Sequence, residues 1–246
     1  MKRVRLEVAY DGTCYCGWQI QPNVATIEGM LNKHLSELLN EPIEVIGASR
    51  TDAGVHALQN IAVFDTKARI PAEKISYALN QRLPEDIRIQ KSEEVAPDFH
   101  PRHVNSIKTY HYKIEAAEFP TPINRLYTHF TYVPLDLNQM QKAATYFIGT
   151  HDFKSFCSIH TQVETTVRTI TSLSVEKTGN IITIAVSGTG FLYNMVRIIA
   201  GTLMDVGRGN TEPEQIPGIL EKMDRNAAGP TAPAKGLLLY SYQLEK

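Results

Sequence analysis

The chain has 246 residues, 43% of them hydrophobic and 21% charged, with a formal net charge of −1. This is an ordinary globular composition for one or two domains, and near-neutrality excludes a general nucleic-acid coating protein, so any polyanion site has to be local. No apolar run approaches the roughly 18 residues of a membrane span. The first residues lead straight into strand-like sequence without a signal-peptide core, and the three cysteines are odd in number and lack zinc-finger spacing, which together predict a cytosolic protein with reduced thiols.

Residues 3–10 alternate polar and apolar and predict a strand with one wet face, followed by the loop Asp11-Gly12-Thr13. Between Thr26 and Asn40, apolar Ile27, Leu31, Leu35, Leu38 and Leu39 recur at helical spacing, with Thr26 as N-cap. Residues 43–46 alternate like an edge strand, and Ile61-Ala62-Val63-Phe64 reads as a buried one. Pro71 opens a helix to Leu83, and Ile87-Arg88-Ile89 returns as a short strand. The expected first domain is residues 1–104, a split α+β unit.

A second domain, residues 105–246, begins with the alternating run Lys108 to Ile114 and continues with a helix over 137–148 capped by Asp136. Strands over 167–177 and 181–188 meet at the hairpin loop Thr178-Gly179-Asn180. They feed a helix over 191–206 with one narrow apolar face and with Asn194, Arg197 and Gly201 opposite. Residues 226–235, rich in Ala, Gly and Pro, read as a long loop.

Chemistry is expected first at Ala48-Ser49-Arg50-Thr51-Asp52-Ala53-Gly54-Val55-His56-Ala57, a polar knot between two extended segments. Turn chemistry alone would account for Asp52 and for a positive φ at Gly54. An arginine on so apolar a helix as 191–206 calls for a carboxylate partner, and Asp52 is the candidate for Arg197. Such a pair would hold Asp52 ionised, as a nucleophile or an electrostatic stabiliser requires, or it would be a purely structural salt bridge. One face of the 108–114 strand presents Lys108, Tyr110 and Tyr112, with His111 on the other, a pattern that serves either cross-strand packing or the stacking of single-stranded bases. The basic residues Arg50, Arg82, Arg88, Arg102, Lys108, Lys113, Arg168 and Arg197 are dispersed, so sequence alone does not join them into a patch.

Seven blocks in order, Tyr10-Asp11-Gly12-Thr13-x-Tyr15-x-Gly17-Trp18-Gln19, Ser49 to Ala57, Phe99-His100-Pro101-Arg102, Lys108 to Tyr112, Gly149-Thr150-His151-Asp152-Phe153, Gly190 to Arg197 and Pro233 to Leu239, cover essentially the whole chain. Together they resemble the TruA family of tRNA pseudouridine synthases. The resemblance implies an α+β fold of two ferredoxin-like domains whose antiparallel sheets meet around a central basic cleft. It implies an isomerase converting uridine to pseudouridine at positions 38, 39 and 40 of the tRNA anticodon stem-loop, with no cofactor or metal, acting as a homodimer. By that match Asp52 is the catalytic aspartate, Arg50 enters the space of the flipped nucleotide, and Tyr110 stacks on the target base. Arg197 pairs with Asp52, Leu238 forms part of the apolar wall beside the base, and Lys108 joins the substrate-binding set. The chain departs from the family in having Ser49 where glycine is usual and Glu28 where glutamine is common, which bears on specificity rather than activity.

Two rival readings remain. A tRNA-binding protein or chaperone would keep the cleft without the chemistry, but gains nothing from an ionised carboxylate beside RNA phosphate. A metal-dependent hydrolase would draw on His100, His103, His151, Asp152 or His160, yet Pro101 between the first two favours extended or turn backbone over a helical ligand pair.

Overall fold

The computed structural model describes residues 1–158 and 163–244 and is α+β, as expected; His160 lies outside the described residues. In chain order the first elements are β1 (Lys2–Tyr10), α1 (Ile27–Leu39), β2 (Ile46–Gly47), β3 (His56–Thr66), α2 (Ala72–Asn80) and β4 (Ile87–Val95). They are followed by β5 (Ser106–Ala116), β6 (His129–Thr131), α3 (Leu137–Thr145), β7 (Gly149–Asp152), β8 (Val167–Thr178), β9 (Ile181–Gly188), α4 (Met195–Gly207), α5 (Ile216–Lys222) and β10 (Leu237–Leu244). No helix of the described residues is long and apolar enough to cross a membrane.

Contacts divide the chain into two units, Met1–Ser106 together with the residues from Leu239 onward, and Ile107–Leu238. The first unit runs β-α-β-β-α-β with antiparallel strand order β4-β1-β3 and β2 also on β3, the ferredoxin-like arrangement. The period-2 pattern of β1 buries Val4, Leu6, Val8 and Tyr10, and α1 and α2 bury Ile27, Leu31, Leu35, Ile75 and Leu79. Each such aliphatic side chain contributes about 1.5–3 kcal/mol on burial. Thr26 caps α1 as expected, accepting the Gly29 N–H.

The last strand, read from sequence into the second domain, groups with the first unit from Leu239 because it lies on β3 and its Tyr242 is buried with Ala48 and Ile61. Tyr242 donates its hydroxyl to the Pro101 carbonyl at 2.7 Å and its N–H to the Gln59 side chain at 3.2 Å. This strand therefore braces the segment that leads into the Asp52 loop.

In the second unit the strand order is β5-β9-β8-β7, antiparallel, with the short β6 parallel to β5. Asp136 caps α3 through the Gln139 N–H, and Gly179, at φ +58°, closes the β8–β9 hairpin. The helix expected over 191–206 starts only at Met195, since Asn194 takes a left-handed φ of +62°. It is also buried on nearly every side rather than along one narrow face. Gly201 permits this: a Cβ there would stand 1.8 Å from the Pro230 carbonyl oxygen. The 226–235 loop is thus a packed strap, held by Arg225 to the carbonyls of Ala228 and Gly229 and to the Thr231 hydroxyl.

Candidate active site

The Asp52 loop is fixed backbone group by backbone group. At its entry the Asn60 carboxamide, fully buried in β3, accepts the Ser49 N–H at 3.2 Å and donates to the Ser49 carbonyl at 3.0 Å. It thereby replaces a missing sheet partner. At the centre, the Thr51 carbonyl accepts the Trp18 N–H at 3.0 Å, and the Thr51 hydroxyl is 2.7 Å from that of Tyr10. At the exit, Gly54, with φ +76°, donates its N–H to the Tyr15 carbonyl, and the Val55 N–H closes a turn onto the Asp52 carbonyl. Asp52 is left half-buried at the tip, with Arg50 exposed two residues before it.

The segment 10–19, quoted above as a motif, is the second wall of this loop. Gly17, at φ +87°, lies so close that a Cβ would be 2.6 Å from the Thr51 carbonyl oxygen and 3.1 Å from the Ala53 nitrogen. The Gly12 N–H donates to His56 Nδ1 at 3.1 Å, and the Tyr15 hydroxyl donates to Asp86 at 2.6 Å. That acceptor and burial raise the Tyr15 phenol pKa, burial being the larger cause, so the ring is an anchor and not a base. Ser49 is only 5% exposed, with no hydrogen bond to its hydroxyl among the described residues. Its side chain is therefore turned into the protein, where a phosphate does not reach it.

Arg102 joins Arg50 on this unit, a convergence the dispersed sequence positions did not reveal. Its Nε donates to the Gly47 carbonyl at 2.8 Å. Loss of hydration, and then the like charge of Arg50, lower its pKa. The signal available in the sequence was the Phe99-His100-Pro101-Arg102 block.

In the second unit, Tyr110 sits opposite Val186 and Lys108 opposite Gly188 in the β5–β9 ladder, with Lys108 half-buried. Tyr110 is 8% exposed and its ring meets Phe191 edge to face, centroids 5.1 Å apart at 81°, so little of the residue is open to a base in this state. Arg197, on the first turn of α4, donates Nε to the Ala232 carbonyl at 2.8 Å and another guanidinium N–H to Asn194 Oδ1 at 2.7 Å. It also stands close enough to Tyr112 for its charge to oppose the rise that burial imposes on that phenol. The Tyr112 hydroxyl donates to the Pro233 carbonyl at 2.9 Å, tying down the strap ahead of half-buried Leu238. Arg197, Tyr112 and the strap form one set, and Tyr110, Phe191 and Lys108 with its partner Gly188 another.

Among the described residues no group of three or more His, Cys, Asp or Glu side chains is placed to hold a metal ion. The His100 and His103 rings are stacked 3.9 Å apart rather than converging on a point, and His100 Nδ1 already accepts the Arg102 N–H.

A family model described as tRNA pseudouridine synthase matches residues 7–103 and 143–243. The chain is 48% identical over 239 residues to tRNA pseudouridine synthase A of Acetivibrio thermocellus, covering 97% of this chain and 98% of the relative. It is 50% identical over 240 residues to tRNA pseudouridine synthase A 2 of Clostridium tetani, covering 97% of each. To tRNA pseudouridine synthase A of Brevibacillus brevis it is 46% identical over 240 residues, covering 98% of each. The family model matches two long stretches of the chain, nearly the full length of these relatives is matched as well, and the chain belongs to the tRNA pseudouridine synthase family.

Proposed function

We propose that this protein is a cytoplasmic isomerase that converts uridine to pseudouridine in tRNA, at positions 38, 39 and 40 of the anticodon stem-loop, and that it works as a homodimer without cofactor or metal. The observation that carries the reading is the presentation of Asp52: a half-buried carboxylate on a loop whose neighbours are tied to β3 and to the 10–19 segment. Catalysis by positioning needs a carboxylate that does not wander.

In the reaction the bond from ribose C1′ to uracil N1 breaks, the base turns within the site, and C5 bonds to C1′. C5 then loses its proton and N1 ends with one, so no atom is gained or lost. Asp52 serves as the reacting carboxylate, by attack on the sugar or base or by removal of a sugar proton, and Arg197 is its charge partner. The target base must leave its stack at a cost of a few kcal/mol, which Arg50 in the vacated space and Tyr110 against the base partly offset. Lys108 and Leu238 complete the substrate contacts as cation and apolar wall.

The test is tritium release from tRNA labelled at uridine C5, comparing the native protein with Asp52→Asn and mapping the pseudouridines formed. Native release at the anticodon stem-loop, with none from Asp52→Asn and tRNA affinity within a few-fold, is the expected result. Turnover by the Asn variant would remove Asp52 from the chemistry, and tRNA binding without release would favour the binding-protein reading.

A further inference from the structure

The turn from Phe99 to His103 carries features that the reaction above does not use. His100 and His103 stack face to face, centroids 3.9 Å apart at 19°, with His100 half-buried and His103 exposed. The His103 N–H donates to the His100 carbonyl at 3.0 Å, and the Arg102 N–H donates to His100 Nδ1 at 3.2 Å, so the turn itself holds the rings in register. Below it, Tyr242 on β10 fixes the Pro101 carbonyl, and Arg3 on β1 donates to the Phe99 carbonyl at 3.1 Å. The stack is a built feature of the first unit.

Its electrostatic surroundings are one-sided. Burial, and then His103, Arg102 and Arg3, lower the His100 pKa, and every charged group acting on that ring is basic. The nearby carboxylates are directed elsewhere. Asp65 on β3 is paired with Arg3 at 2.6 Å, Asp98 acts on Arg3, and Glu28 on α1 accepts the Ile20 N–H while acting weakly on Arg102. Arg50 adds its charge to Arg102 from the Asp52 loop. Positive charge on two stacked rings is mutually repulsive, and an anion beside the pair offsets that repulsion.

We propose that the His100–His103 stack, with Arg102, is a proton-linked binding site for an RNA phosphate, so that tRNA binding takes up a proton here. The proposal rests on the tRNA reading above and adds a position and a pH dependence to it. Binding tightens as pH falls through the histidine range, because the phosphate supplies the negative charge that the cluster lacks.

The test is the affinity of fluorophore-labelled tRNA at fixed ionic strength from pH 5.5 to 8.0, for the native chain and for His100→Gln, His103→Gln, their combination and His103→Lys. The expected result is a native affinity roughly three- to tenfold tighter at the acid end, a flat profile for the double variant, and a salt slope at pH 5.5 about one unit shallower in that variant. His103→Lys, a permanent cation, should bind at pH 8.0 at least as tightly as native and respond little to pH, a rescue that a merely structural role for the ring would not give. Parallel pH profiles in native and double variant would overturn the proposal while leaving the tRNA reading intact. No tRNA binding by the native chain at any pH would instead overturn both.

Discussion

Replacing Gly17 by alanine is the sharpest probe of how the Asp52 loop is held. The new Cβ would be 2.6 Å from the Thr51 carbonyl oxygen and 3.1 Å from both the Asp52 carbonyl carbon and the Ala53 nitrogen, all of them backbone, so no side chain can swing aside. The 2.6 Å gap has to open by roughly half an ångström or more. The left-handed φ of +87° costs an L-residue about 1–2 kcal/mol in addition. Weakening the 3.0 Å bond from the Trp18 N–H to the Thr51 carbonyl removes about another 0.5–1.5 kcal/mol. The sum is about 1.5–3.5 kcal/mol of lost stability. The displacement bears directly on Asp52, and a misplacement near 1 Å costs about 100-fold in rate, so a shift of half that or more predicts about a 10- to 100-fold fall in single-turnover rate. The assay is tritium release with enzyme in excess, run well below the unfolding midpoint, alongside urea denaturation. The control is Gly218→Ala, where nothing lies within 4 Å of the added Cβ on α5 and where helix propensity predicts a gain of up to about 1 kcal/mol. A Gly17→Ala protein that folds normally and turns over at the native rate would refute the claim that close backbone packing sets the carboxylate.

The other expectations are narrower. Asn60→Ala leaves the Ser49 N–H and carbonyl unpaired in a buried site and should cost about 2–4 kcal/mol in urea unfolding, with turnover falling more than tRNA affinity. Gly201→Ala puts a Cβ 1.8 Å from the Pro230 oxygen and should destabilise the protein by about 2 kcal/mol or more, freeing the strap to protease at Arg225, which limited proteolysis would show. The Asp65 carboxyl pKa is lowered chiefly by its hydrogen bond to Arg3, so its contribution is present above the ordinary Asp value of about 3.9 and is lost as pH falls through the folded value. Thermal unfolding between pH 6 and 2.5 should therefore show a shallower acid limb in Asp65→Asn than in the native protein, and identical limbs would count against the pair. Asp52→Asn, as above, should separate binding from release.

The amphipathic and capped elements were legible in the sequence, because Thr26 and Asp136 cap α1 and α3 as their side chains dictate and the β8–β9 hairpin turns where Gly179 allows it. Residues 43–45 read as strand by alternation but are not, since side chains of α1 take their backbone donors: Ser36 Oγ accepts the Ile43 N–H and Asn32 Oδ1 the Val45 N–H. Only Ile46 and Gly47 remain to pair with β3. The helix expected to reach Leu83 stops at Asn80, whose carboxamide instead bonds both the N–H and the carbonyl of Ile89. The strands β6 and β7 are too short to show a period, and β10 lies far in sequence from the strand it joins. Within the candidate site, the motifs stood out in the sequence but the groups that hold them in place did not. Asn60 looks like any polar residue of a strand, and the nearness of Arg102 to Arg50 depends on a fold that brings residues fifty apart together.

The return of β10 to the first unit imposes an order of events during synthesis. The ribosome completes residues 1–106 well before it reaches Leu239, and at ~5–20 residues per second the interval is on the order of ten seconds. Throughout it the part of the β3 edge that β2 does not cover is unsatisfied, and Ala48 and Ile61 lack the Tyr242 ring that buries them. The nascent chain thus holds its Asp52 loop without its final brace until the second unit has been made, so that an incomplete chain has the aspartate but not the rigid placement that the proposed reaction requires.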